Sequence, residues 1–137
     1  MSLVLDSSMT LAWCFEDERT DESIAVLRQV AETGATVPSL WRLEVANGLQ
    51  VAVRRKRIDA AYRDASVNDL RSLAISTDTE TDHQAWSATL HLADRFGLTI
   101  YDAAYLELAH RLALPLATLD GELARAAISG SVALVGR

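Results

Sequence analysis

The chain has a single cysteine, Cys14, among 137 residues, so no disulfide can close within it. Free cysteine is among the most buried residue types, and Cys14, between Trp13 and Phe15, reads as a small core residue. No apolar run approaches the ~20 residues that cross a bilayer. The N-terminus lacks a basic stretch followed by an apolar one, so no secretory signal is expected and a cytoplasmic location is the default. Positive charge is scarce. Thirteen Lys and Arg against 19 Asp and Glu give a formal net charge of −6. That balance argues against a protein that grips nucleic acid on a broad basic surface. It leaves nucleic acid open as a substrate, because metal ions neutralise a carboxylate cluster locally. The sequence contains no G-x-S-x-G elbow, no P-loop and no G-x-G-x-x-G turn. No Cys/His spacing supports a zinc site. His83, His91 and His110 fall on helical segments with no partner at catalytic spacing, and Trp13, Trp41 and Trp86 read as packing groups. There is no internal repeat, low-complexity tract or linker.

What is present is enough for one well-packed domain, half of it hydrophobic. The run Leu3-Val4-Leu5 reads as a short strand, apolar on both faces, that stops on Asp6. Such a strand belongs inside a parallel sheet covered by helices. Ser7 and Ser8 are N-cap types for a short buried helix over Met9–Phe15, and Glu16-Asp17-Glu18 reads as a solvated loop. Thr20 or Asp21 caps a second helix with Ile24, Leu27 and Val30 at helical spacing, stopped by Gly34. Ala35–Val37 is a strand ended by Pro38. Ser39 caps a helix reaching Lys56, with Leu40, Leu43, Ala46 and Val53 as its apolar stripe. Asp59 caps another helix, and Leu73–Ser76 is a third strand. A single helix is expected over Asp82–Phe96, then a brief extended segment Leu98–Ile100 and a helix from Asp102 to Ala113. Pro115–Leu119 is a strand ending on Asp120, followed by a short helix from Glu122 and a last strand over Val132–Val135. Strands alternating with helices predict an α/β fold with a parallel sheet and helices on both faces.

Four carboxylates stand where surface charge is not expected. Asp6 and Asp120 each end an apolar strand, and if those strands are neighbours their side chains converge at the edge where α/β sheets bind ligands. Asp102 begins a helix. Glu44 sits beside the apolar stripe of its own helix. Each also has an ordinary reading: Asp6, Asp102 and Asp120 as helix caps, Glu44 as a solvated charge. Brought together, four such groups repel one another unless cations are present, and an oxygen-only set suits Mg²⁺ or Mn²⁺. Ser8 and Thr118, each two residues from a strand-end acid, are placed to add hydroxyls to the cluster, and Glu122 an outer carboxylate. The basic run Arg54-Arg55-Lys56-Arg57 suits a helix C-terminus and is equally a candidate for steering a nucleic-acid substrate.

Val4-Leu5-Asp6-Ser7-Ser8, Glu44 within Pro38–Asn47, Tyr101-Asp102-Ala103-Ala104-Tyr105 and Leu116–Leu123 together resemble the PIN domain, and within it the VapC toxins of toxin–antitoxin pairs. The resemblance covers nearly the whole chain, 1–137, as a single PIN domain. It implies a three-layer α/β/α fold with the first strand central, between the second and the fourth. It implies a metal-dependent endoribonuclease using Mg²⁺ or Mn²⁺, with Asp6, Glu44, Asp102 and Asp120 as catalytic and metal-binding acids. Thr118 and Ser8 match supporting polar positions; the role at Glu122 is less uniform in the family. RNA would be cut by metal-activated water, and the partners would be a VapB-like antitoxin and a second copy of the chain. Two alternatives remain at this point. One is a phospho-aspartate or phosphatase-type α/β domain, which wants a second Asp or a strand-end Lys that Asp6-Ser7-Ser8 does not offer. The other is a non-catalytic binding module of the same fold.

Overall fold

Strands as short and apolar as these cannot stand alone, and in the computed structural model they satisfy one another. It describes residues 2–136. β1 (Val4–Leu5) lies in the middle of a five-stranded, all-parallel sheet. On one side come β2 (Ala35–Val37) and β3 (Ile75–Thr77), on the other β4 (Leu116–Ala117) and β5 (Leu134–Val135). Leu3, Val4 and Leu5 are completely buried, as a strand covered on both faces must be. Between strands run α1 (Ser7–Cys14), α2 (Asp21–Thr33), α3 (Trp41–Arg54), α4 (Ala60–Arg71), α5 (Thr81–Gln84), α6 (Ala88–Phe96), α7 (Ile100–Leu112) and α8 (Gly121–Ser129).

Register determines what meets at the sheet's C-terminal edge. Val4 pairs with Leu116 and Leu5 with Ala117, and the Asp6 amide donates to the Ala117 carbonyl at 3.0 Å. Asp6 and Thr118 therefore leave the sheet side by side; β4 stops at Ala117, so Asp120 does not end that strand as expected but caps α8 three residues on. On the far side of β1, Val4 pairs with Thr36. The expected central position of the first strand, between the second and the fourth, is what the sheet has.

Local chemistry sets the helix ends. Thr20 and Ser23 form a reciprocal capping box at the start of α2, and Asp59 caps α4 through the Tyr62 amide. Gly34 ends α2 at φ 76, where a Cβ would come within 2.6 Å of the Ala74 carbonyl oxygen, so no other residue fits. Several expected boundaries move. Ser7 and Ser8 lie inside the first turn of α1 and Asp6 holds the N-cap position. Leu40, not Ser39, precedes α3, and the Ser39 hydroxyl bonds Asp82 instead. The buried stripe of α3 is Trp41, Val45, Leu49 and Ala52, while Leu43 is 76% exposed. Glu16–Glu18 form a single 3-10 turn. The helix expected over 82–96 is two, broken at Ala85–Ser87 where i→i+3 turns replace helical bonds and Trp86 projects into solvent. Leu98–Ile100 adds no strand; Thr99 caps α7.

One ion-pair network anchors α7, the helix that carries Asp102. Arg111 spans Asp78 at 2.7 Å and Glu107 at 2.8 Å, and both carboxylates are almost fully buried. Burial alone would raise the Asp78 pKa, but hydrogen bonds from Arg111 and Thr81 outweigh it and hold the group below the ordinary carboxylate value. A depressed carboxylate contributes stability that is present at neutral pH and is lost as pH falls through its folded-state pKa. Replacing Arg111 with Ala leaves two buried acids facing each other. We expect the variant to lose about 2–4 kcal/mol in urea unfolding at pH 7; a loss under ~1 kcal/mol would mean the network is screened like a surface pair.

Candidate active site

The strand-end acid comes first. Asp6 is 3% exposed. It occupies the N-cap position of α1 but makes no side-chain capping bond. Its Oδ2 instead accepts from two hydroxyls, Ser8 at 2.5 Å and Thr118 at 2.7 Å. Those hydroxyls are polarised in turn. The Leu119 amide donates to Ser8 Oγ at 2.9 Å and the Asp120 amide to Thr118 Oγ1 at 3.0 Å. The backbone that leaves β4 thus holds the acid that ends β1, through two short relays.

Glu44 reaches the same edge from α3. Its Oε1 accepts from the Tyr105 hydroxyl at 2.6 Å and from Ser7 Oγ at 3.2 Å. Tyr105 is wholly buried and is the largest side chain in the core with almost no exposure. Burial and the bond to Glu44 hold its hydroxyl protonated, far above the range of an exposed phenol. Neither Tyr105 nor Ser7 was among the residues expected at the site. A signal for Tyr105 existed: it lies three residues after Asp102 and so on the same face of α7.

Asp102 sits in the first turn of α7 and does not cap it, because Thr99 accepts from the Asp102 amide. Its half-buried carboxylate has no hydrogen bond or ion pair among the described residues. Asp120 does cap α8, its Oδ1 accepting from the Leu123 amide at 2.9 Å. Glu122 follows on the exposed face of α8. The edge therefore collects Asp6, Glu44, Asp102, Asp120 and Glu122, together with Ser8 and Thr118. It does not collect Arg54, Arg55, Lys56 and Arg57. Those lie ten or more residues beyond Glu44 along and past α3, about 15 Å away at 1.5 Å per residue. Arg57 is also occupied, paired with Asp17 and Glu18 at 2.7 Å and stacked over Phe15.

The charges register one another. Burial raises the Asp6 pKa, the two hydroxyls draw it back, and Asp120 adds to the rise. Burial raises Glu44, with Tyr105 opposing and Asp6 assisting. Asp102 is pushed up to about 6 by burial and then by Asp120, Asp6, Glu44 and Glu122. An oxygen-only donor set under mutual repulsion suits a hard divalent cation. Among the described residues no three Asp, Glu, His or Cys side chains already stand grouped round one ion. Mg²⁺ does not require that, since it keeps several waters and binds through one or two carboxylates plus substrate phosphate. Folded Asp102 holds its proton up to about pH 6, against 3.8 for an ordinary Asp. Across that window the folded state binds more protons, so metal-free stability falls as pH rises from about 4 to about 6. Thermal unfolding in EDTA is expected to show this decline, and Asp102→Asn to flatten it; an identical slope in the variant would contradict the assignment.

Comparison with known proteins places the chain in a family. The PIN domain family matches residues 3–129. Ribonuclease VapC3 of Pyrobaculum aerophilum is 29% identical over 124 residues, 90% of this chain and 93% of that relative. Ribonuclease VapC3 of Mycobacterium tuberculosis is 32% identical over 109 residues, 78% and 75% of the two chains. A toxin–antitoxin complex from Klebsiella pneumoniae has the same fold, with a TM-score of 0.58 at 15% identity over 87% of each chain. With the strand order and the edge acids already in place, the chain belongs to the PIN domain family.

Proposed function

We propose that this chain is a divalent-metal-dependent endoribonuclease, the toxin of a toxin–antitoxin pair. The observation that carries the reading is Asp102: a half-buried carboxylate without a hydrogen-bond partner, raised by burial and then by four neighbouring acids. Leaving such a group unpaired is costly unless something positive belongs there. The relatives named as ribonucleases supply the substrate class, and the Klebsiella complex supports an antitoxin partner.

In this reading Asp6, Asp102 and Asp120 hold Mg²⁺ or Mn²⁺, with Glu44 alongside. Bound there, the cation supplies Lewis-acid chemistry, activating water as a nucleophile and offsetting charge on the phosphodiester. The chain's own groups do the positioning. Ser8 and Thr118 hold one oxygen of Asp6, and the α8 cap holds one oxygen of Asp120. Tyr105 and Ser7 hold Oε1 of Glu44, which leaves Oε2 to orient water or take its proton. Water adds to phosphorus, the P–O3′ bond breaks, and the 3′ oxygen leaves with a proton. A VapB-like antitoxin covers this edge, a basic side chain answering the acids, and a second copy of the chain completes a homodimer.

The products are therefore a 5′-phosphate and a 3′-hydroxyl, generated only with Mg²⁺ or Mn²⁺. Asp6→Asn and Asp102→Asn should each lower kcat by at least about 10²-fold while the fold is retained, on the scale of removing a group essential to transition-state charge. A 2′,3′-cyclic phosphate product, cleavage unaffected by EDTA, or full activity of Asp6→Asn would overturn the reading. Tyr105→Phe keeps the ring in the core and frees Glu44, so a drop in kcat of about tenfold, near 1.4 kcal/mol, is expected; unchanged kcat would show that Glu44 needs no holding.

A further inference from the structure

An acidic protein that cuts a polyanion must hold it with cations close to the acids, and the described residues offer few. Arg57, Arg63 and Arg111 are in ion pairs. Arg19 and Arg42 are committed to hydrogen bonds that tie elements together. Arg54, Arg55 and Lys56 lie at the far end of α3, and Arg28 and Arg71, also unpaired among the described residues, lie on α2 and at the end of α4. Arg125 is different. It is exposed on α8 and makes no hydrogen bond or ion pair among the described residues. Its guanidinium folds back over the first turn of α8, so that Nη1 lies 3.4 Å from where a Cβ on Gly121 would sit. Gly121 directly follows Asp120. The one uncommitted cation on this helix therefore stands one residue from the acid cluster.

It also stands in a groove. Glu122, Arg125 and Ser129 recur at helical spacing on the exposed stripe of α8. With Phe96 and Gly97 from the end of α6 they line an open cleft of about 250 Å³. Glu122 joins the two places, since it lines the groove and its charge acts on Asp102. Gly97 leaves open space beside its backbone, with nothing within 4 Å of a Cβ there. The Arg95 guanidinium lies 4.8 Å over the ring of Phe96, a residue that lines the groove.

We infer that the groove between α6 and α8 is a binding site for the RNA backbone, in which Arg125 takes the phosphate next to the one being cut. The inference rests on the ribonuclease reading. A guanidinium presents a planar fork suited to phosphate oxygens. Phe96 offers an apolar wall for the adjoining nucleoside and Ser129 a hydroxyl at the groove's end. Contact is to the backbone, so Arg125 adds affinity without reading sequence. It also decides the direction of the strand's path: across the sheet edge toward α8, not along α3 toward Arg54–Arg57.

The test pairs steady-state cleavage with binding. Arg125→Ala should raise KM for a single-stranded RNA about tenfold with kcat within twofold of the unaltered protein, and Arg125→Lys should recover most of the loss. For a labelled RNA oligonucleotide bound in EDTA, the slope of log affinity against log salt should fall by about one in Arg125→Ala. Arg28→Ala, an exposed charge on α2, should change neither. Unchanged KM and salt slope in Arg125→Ala would overturn the inference. So would a penalty that follows Arg54→Ala/Arg55→Ala instead. If the unaltered protein cuts no RNA, the ribonuclease reading fails, and the EDTA binding experiment still reports on the groove by itself.

Discussion

Mutual repulsion among carboxylates at one sheet edge is the constraint on which the rest of this structure depends. Asp6 is buried at the end of the central strand, and Asp120 lies three residues past the end of the neighbouring one, at the N-cap of α8. Glu44 and Asp102 arrive from α3 and α7. No folded chain gains stability by bringing these groups together without compensation. Partial compensation comes from within: two hydroxyls on Asp6, a phenol and a hydroxyl on Glu44, a helix N-terminus on Asp120. Asp102 receives none, and burial together with the neighbouring acids leaves its pKa elevated.

The scaffold holds this arrangement by separating anchoring from chemistry. Along α7, Asp102 and Tyr105 face the acid edge, while Glu107 and Arg111 lock the same helix to Asp78 after β3. Register between β1 and β4 sets Asp6 against Thr118 to within one hydrogen bond. The contacts to Asp6 are short and come from two hydroxyls held by backbone amides, which lose little freedom on binding. Such a site is organised before any substrate or ion arrives, and that is where electrostatic catalysis gains most.

Much of this was readable in the sequence, for physical reasons. An apolar run that stops on Asp admits few placements, so Asp6 and Asp120 and the parallel order of their strands could be expected. Ser8 and Thr118, two residues from Asp6 and Asp120, could be expected at the cluster, although Ser8 reaches Asp6 from the first turn of α1 and not along a strand. Other features depended on packing that no local pattern encodes. Ser7 looked like a cap because serine caps helices; it became a ligand to Glu44 only because α3 passes nearby. Leu43 fits an apolar stripe by spacing, yet the stripe that packs is rotated to Trp41, Val45 and Leu49. The break at Ala85–Ser87 carries no proline or glycine to announce it. Arg125 drew no notice beside the denser run at Arg54–Arg57, because charge density in a sequence does not report distance from a site.

Under the proposed function, the acid edge binds a divalent cation. Soaking crystals in Mn²⁺ and recording anomalous diffraction at the manganese edge tests it most directly. An anomalous peak bounded by Asp6, Asp102 and Asp120, with Glu44 beside it, is expected, and it should disappear in Asp102→Asn. Saturating Mn²⁺ with no peak at that edge, or a peak elsewhere with the edge acids unchanged, would contradict it.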